Sequence, residues 1–512
     1  MVRVQLFLLA TVSSSIAADL STLPGLLETI SADVFPGLKS IAQDIHAHPE
    51  TSTQEFHAHD LVVDYFTATK PGLWDVTPHA YGQPTAFVLD FVHKPADFSG
   101  SENEIPVVGF MAEYDALLGI GHACGHNHIL LNGLAAASMA RQALIDLDIP
   151  GQIKVIGTPD EENTGGKARL RDAGAFDGID VWMMAHPTSA NAVQPMQGRV
   201  DAQANLVGDT HADAVRTAYE ALVLITDLAI SLPGTSSTAT PVEDVGMFAI
   251  NVVAQRIQLG VAGLSLQDVN STVSGLLDDT YVGVNYTIAE DDEVEKGVVL
   301  SIEGPGGHAS EGNKSPLRLS IETFRTLTAS GNEVVSFFLP GNTTVTELDI
   351  TISVRTRYTI DLDSVLEPVT STIASKAVSI STDRPYPALE VQTSLGDRFL
   401  ALMRDSDQAN WNYSTIAPAA TDAGFVQDAL LDPNTKQLLS VDKAVFHPNF
   451  GICEAVAGAP CGFNHEPIFA QTAATDYSYG RTEVVARTLA QVAVELLDDK
   501  SFMREATRLV RR

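Results

Sequence analysis

Positive charge is scarce in this chain: 31 lysines and arginines stand against 64 acidic residues in 512, a formal net charge of −33. With no long basic block to offset it, a counterion-release contact with phosphate backbones is excluded, and nucleic acid and anionic membrane drop out as partners. Long apolar runs are missing beyond the amino terminus. No later stretch offers the ~18 uninterrupted apolar residues of a membrane-spanning helix, so no membrane partner is expected. Charged residues make up only 19% of the chain, below the roughly 25% of ordinary globular domains, and the acid is spread without a tail, as on a soluble acidic surface. What is plentiful is apolar material, 45% of residues, enough for at least one large core. Length alone suggests about two to four domains.

Cysteine is also scarce, and odd in number at three. Cys453 and Cys461 lie in one Gly/Ala/Pro loop and can pair in an oxidising compartment. Such a compartment is expected, because residues 1 to 18 read as a secretory signal. Arg3 precedes the apolar run Val4 to Val12, and the small residues up to Ala17 and Ala18 suit cleavage. A secreted, extracellular chain makes five Asn-X-Ser/Thr triplets usable for glycosylation: Asn270, Asn285, Asn313, Asn342 and Asn412. The leftover Cys124 sits in Gly121-His122-Ala123-Cys124-Gly125-His126-Asn127-His128, where three histidines crowd a thiol. That company suggests a metal or reactive site.

The surroundings of Cys124 sharpen this. Val107 to Ala112 reads as a buried parallel strand that ends on Glu113-Tyr114-Asp115, and a helical stretch follows the glycine-rich loop. Gln152 to Gly157 reads as a second strand, ending in Thr158-Pro159-Asp160-Glu161-Glu162. A third, Asp180 to Ala185, ends on His186. Open α/β sheets build their sites at the carboxyl ends of strands, and here successive strands each deliver ligand-type residues there. Thiolate and imidazole favour zinc over magnesium or calcium, while the histidines and carboxylates would also accept manganese. Of two adjacent loop carboxylates, one can ligate while its neighbour stays free as a base.

These segments, together with Ile45 to Glu50, Gly157 to Lys167, Ala173 to Gly178, Thr421-Asp422, His447-Pro448 and Asn464-His465, resemble the aminoacylase/carboxypeptidase family of co-catalytic zinc peptidases, metallopeptidase family 20. The likeness is strongest to the amidohydrolase branch that includes auxin-conjugate hydrolases. It implies two zinc ions per subunit bridged by Cys124, with His126, Glu162, His186 and His465 completing the ligands. It also implies Glu161 as general base toward the attacking water, and Asp115 as the residue that orients a ligand. The implied activity is hydrolysis of the amide bond of a short peptide or an N-acyl amino acid. A protein of this fold that only binds would be expected to lack ligands, and none is missing. Departures fall at Ala420 to Gln427, where the family has Ser-Thr-Asp-Met-Gly-Asn-Val-Ser, and at Glu466-Pro467, where it has Thr-Glu. They bear on substrate preference and leave the ligand set intact.

The fold expected is α/β, a mixed sheet flanked by helices, with inserted β-α-β-β-α-β lids. The span from His186 to Thr421 is too long for the single lid usual in this branch. Self-similarity suggests two in tandem. Residues 199 to 290 form a degenerate first copy and 297 to 386 a second, with His211, Asn251 and Leu266 answering to His308, Asn342 and Leu362. The rival reading makes 199 to 296 a mostly helical insertion before one lid. With the tandem lids, residues 19 to 198 and 387 to 512 form the split catalytic domain. Family lids supply a His, an Asn and an Arg toward the substrate, the His often across a dimer interface, which makes a lid-mediated homodimer an expectation too. The second copy keeps His308, Asn342 and Arg355, whereas Ala262 stands where the first would need its Arg. Substrate contacts are therefore expected from the second copy.

Overall fold

The computed structural model describes residues 20–101, 104–231, 236–241, 252–308, 315–329, 335–341, 343–406 and 410–511. The expected signal segment, Asn251, Asn313 and Asn342 lie outside them. In chain order the strands are β1 (Asp75–Pro78), β2 (Phe87–His93), β3 (Val107–Ala112), β4 (Gly151–Gly157), β5 (Val181–Met183) and β6 (His186–Thr188). An inserted segment adds β7 (Gly198–Val207), β8 (Ser236–Pro241), β9 (Arg256–Ala262), β10 (Asn285–Asp291), β11 (Gly297–Glu303), β12 (Ser336–Phe338), β13 (Glu347–Thr356) and β14 (Ala377–Thr382). The chain returns through β15 (Leu430–Leu431), β16 (Leu438–Ser440), β17 (Ala444–Phe446) and β18 (Asn449–Gly451).

The main sheet runs β1-β2-β4-β3-β5-β17, antiparallel at the β1 and β2 edge and parallel from β4 to β17. Its strands read as near-continuous apolar runs because both faces are covered. Phe87, Leu89, Val108, Phe110, Ile153, Val155 and Phe446 point to one core, shared with the helices Leu23–Ala47, His126–Asp146 and Asp476–Asp498. Val88, Met111, Ile156, Trp182 and Val445, the alternate positions, point to a second core with Leu170, Phe176 and Val426. The helix His126–Asp146 is buried along nearly its whole length. That explains why its sequence is apolar all round instead of striped.

The inserted segment forms two further sheets, β14-β7-β13-β8 and β10-β11-β9-β12. Each takes two strands from residues 199 to 290, extended by one residue at each end to Gly198 and Asp291, and two from 297 to 386. The two segments do not close as consecutive separate lids. Exchanging each strand for its expected counterpart (β7 with β11, β8 with β12, β9 with β13, β10 with β14) turns one order into the other, so the arrangement is internally symmetric. Both sheets and the helices between them contribute to a single core, including Leu206, Leu222, Leu259, Val273, Leu300, Phe324, Ile352 and Val369. Burying those faces together is the physical reason for pairing across copies. Among the described residues, the span 199 to 296 carries four strands beside two helices.

Cys453 and Cys461 are joined by a disulfide, Cα to Cα 5.0 Å apart. Closing a short loop next to His465, it removes loop entropy from the unfolded chain. Replacing both cysteines by serine is expected to cost about 2–3 kcal/mol in a reversible denaturant titration. No helix among the described residues is long and apolar enough to cross a membrane.

Candidate metal centre

The parallel strands β3, β4, β5 and β17 run in one direction, and each ends on chemistry: Glu113 to Asp115, Thr158 to Glu162, His186 and His447. The turn between β3 and the following helix is held by Gly125, whose φ of 78° is left-handed and whose Cβ position would strike Pro187. This turn presents Cys124 and His126 side by side. Opposite them, Asp160 and His465 adopt left-handed φ of 62° and 71°. Strain of that kind persists only where the surroundings enforce it. For His465 part of the enforcement is its backbone N–H, 2.8 Å from the Ala123 carbonyl.

Two donor sets converge. Cys124, His126 and His186 form one, Cys124, Glu162 and His465 the other, and within each set the ligand-type atoms lie within 4.8 Å of one another. The thiol belongs to both. Cys124 Sγ lies 3.6 Å from His186 Nε2, and Glu162 Oε1 is 3.5 Å from both His126 Nε2 and His465 Nε2. Asp115 accepts from His126 Nδ1 at 2.9 Å and, with its other oxygen, from the Glu162 backbone N–H at 3.0 Å. Its carboxylate thereby turns one donor and fixes the loop of another. Asn464 Nδ2 sits 3.2 Å from the Cys124 carbonyl and 3.8 Å from its sulfur, steadying the shared thiol.

Burial and charge set the protonation of these groups. Burial, with Glu162 beside it, pushes the Cys124 thiol well up. Burial opposes a charge on His126, but Cys124 and Asp115 outweigh it and raise that imidazole. His186 is depressed to about 3 by burial and by His447 and His126, so it stays neutral. Glu162 is held well down despite burial, chiefly by His465. Glu161 is pushed well up by burial and by Glu113 and Glu162. The buried Nε2 of His126 and Oε2 of Glu113 have no hydrogen-bond partner. A thiol, imidazoles and carboxylates facing inward with unsatisfied atoms fit cations well.

Of the three histidines around the thiol, His126 alone joins the donor sets. His128 bonds Thr482 and the Ala473 carbonyl, while His122 lies 3.2 Å from the Ile45 carbonyl. Beside the centre lies a buried group whose role no sequence motif announces: Lys167 Nζ is 2.5 Å from Glu113 and 2.6 Å from Asp422. Its sequence signal is its place at the end of the family-like segment Gly157 to Lys167, which names no role for it. The inserted segment sends His308 against His465, ring centres 4.4 Å apart. His211 is far from this work, bonded to the Val345 carbonyl and the Leu339 N–H. Arg355 is 1% exposed, with Nε and Nη2 unpartnered, and burial together with Arg199 lowers it to about 9. Asn270, Asn285 and Asn412 are exposed.

Strand ends carrying a shared thiol between two donor sets define an α/β protein built around a two-part metal-ligand centre. The chain belongs to the peptidase family M20/M25/M40, whose model matches residues 110–449. It is 44% identical over 160 residues to the Xaa-Arg dipeptidase of Homo sapiens, covering 30% of this chain and 36% of that protein. Over 164 residues it is 29% identical to one of the subunits of the p-aminobenzoyl-glutamate hydrolase of Escherichia coli K12, covering 29% of this chain and 31% of the relative. The chain thus spans about a third of the length of these curated relatives. A solved structure from methicillin-resistant Staphylococcus aureus, that of a candidate aminohydrolase, shares the fold at TM-score 0.52 and 14% identity, covering 93% of this chain and all of that one.

Proposed function

We propose that the chain is a metal-dependent amidohydrolase that releases the C-terminal residue of a dipeptide or the amino acid of an N-acyl amino acid. The observation that carries this reading is the thiol common to two donor sets with buried Glu161 adjoining. In it, Cys124, His126 and His186 would hold one ion and Cys124, Glu162 and His465 the other, zinc being favoured by the thiolate. When bound, a pair of such ions supplies Lewis acidity for the scissile carbonyl and acidifies water. Glu161 takes the proton of the attacking water and passes it to the leaving amine. Asp115 keeps His126 in one orientation, its Nδ1–H directed at the carboxylate. Arg355 receives the substrate carboxylate, and His308, held neutral by burial and by His465 and Arg355, donates to the carbonyl oxygen as charge develops. The family pattern gives Asn342 a substrate contact as well.

The Xaa-Arg dipeptidase likeness supports the dipeptide branch of this reading, and the hydrolase from Escherichia coli supports the acyl-amino-acid branch. Secretion after removal of residues 1 to 18, glycosylation at the exposed sequons and a homodimer through the inserted segment belong to the same proposal. His308 meets His465 within one chain, so a second copy is not needed to supply it. Metal analysis with a hydrolysis panel tests the whole. About two ions per chain and chelator-sensitive release of a C-terminal amino acid are expected. A metal-free protein that hydrolyses none of the panel would overturn the reading.

A further inference from the structure

We infer that Asp201 and Ser353 form a subsite for a cationic side chain on the amino acid that the hydrolysis releases. The inference rests on the proposed function and adds the chemistry of the leaving group. In the β7 and β13 pair, Arg199 stands opposite Arg355, and Asp201 opposite Ser353. Side chains alternate along strands, so these four share one face while Val200, Ala204, Ile352 and Val354 turn to the apolar core. All four are buried, Asp201 at 5% and Ser353 at 0% exposure.

Arg199 is already satisfied, its Nε and Nη2 reaching Asp201 Oδ2 at 2.7 and 2.5 Å, with its guanidinium 4.9 Å from the Tyr386 ring centre. Asp201 Oδ1 and Ser353 Oγ have no partner, and neither do Nε and Nη2 of Arg355. Buried polar atoms are nearly always hydrogen-bonded, so two acceptors and a bare cation on one wall describe a ligand. A carboxylate answers Arg355. The residues left over, Asp201 and Ser353, stand one ladder step from Arg199 and Arg355, a backbone rise of about 6.6 Å along the strand. A carboxylate and a cation at that separation describe an amino acid with a long basic side chain.

A neutral donor would also satisfy Asp201, and the surroundings argue for the cation. Asp201 Oδ1 is a buried carboxylate oxygen without a partner, and a charge-assisted hydrogen bond to it is roughly twice as strong as a neutral one, so a cation settles there better than an amide.

The test compares kcat/KM for Ala-Arg and Ala-citrulline, which differ by the charge and barely in shape. The native chain is expected to favour Ala-Arg by about tenfold or more. Asp201→Asn should lower that ratio about tenfold, and Ser353→Ala, which leaves the Arg199 pair untouched, should lower it in the same direction. The Ser353 variant decides the matter where Asp201→Asn does not fold. Hydrolysis of both dipeptides at equal efficiency by the native chain, or a ratio unmoved in a folded variant, overturns this subsite alone. Hydrolysis of neither dipeptide nor of N-acyl amino acids overturns the proposed function beneath it.

Discussion

Glu161→Gln is expected to keep its metal and lose between about two and four orders of magnitude in kcat, the range a positioned general base supplies. The residue is 8% exposed, its Oε2 stands 4.0 Å from His126 Nε2, and it groups with Glu113 and His126 but belongs to neither of the two donor sets that share Cys124. Removing its charge therefore leaves both sets intact while removing the proton acceptor. The pH profile supplies a second readout. Burial, Glu113 and Glu162 raise this carboxyl, so it loses its proton late, and activity should fall as pH drops through its elevated pKa. In Glu161→Gln that acidic limb should vanish from the residual rate. Bound cations work against the shift, so the limb belongs nearer the ordinary carboxylate range in the loaded enzyme than in the apo chain. Metal content measured on the same preparation separates the outcomes. A variant with full turnover would remove Glu161 from the mechanism, and one stripped of metal would make it a ligand.

The strand ends that carry this centre were legible in the sequence for a local reason: short apolar runs broken by punctuated polar loops mark buried parallel strands wherever they sit. Cys124, Glu162, His186 and His465 followed from those ends and from a family likeness. What stayed illegible was nonlocal. Nothing in His122, His126 and His128 by themselves says which one turns inward, because that depends on the Ile45 and Ala473 carbonyls elsewhere in the chain. The repeat in the inserted segment was visible, but its strand exchange was not. Each strand's alternation fits a partner from either copy equally well, and the choice is made by the shared core. Lys167 escaped for the same reason, since a lysine in a helix of a soluble chain reads as solvated until its partners are in view.

Those partners make Lys167 the residue whose loss should cost the fold most. Its ammonium, wholly buried, is shared between Glu113 and Asp422, and the Asp422 carboxylate also accepts the Lys167 backbone N–H at 2.8 Å. Glu113 is held down because Lys167 and His126 outweigh its burial, whereas burial and the charge of Glu113 lift Asp422 to about 6. Lys167→Met keeps the stem's volume but leaves two carboxylates facing each other out of water. Breaking a buried ion group in this way costs about 3–5 kcal/mol. Both carboxyls would then bind protons more tightly folded than unfolded, so folding would take up protons and the variant would gain stability as pH falls. The deficit against the native chain should accordingly be largest near about pH 7 and shrink toward about pH 5, read from urea midpoints of the apo proteins. Replacing Glu113 and Asp422 by glutamine and asparagine in the same chain should recover much of the loss, since the uncompensated charge is gone. A Lys167→Met chain as stable as the native one at neutral pH would mean that water or a shifted neighbour already neutralises this pair.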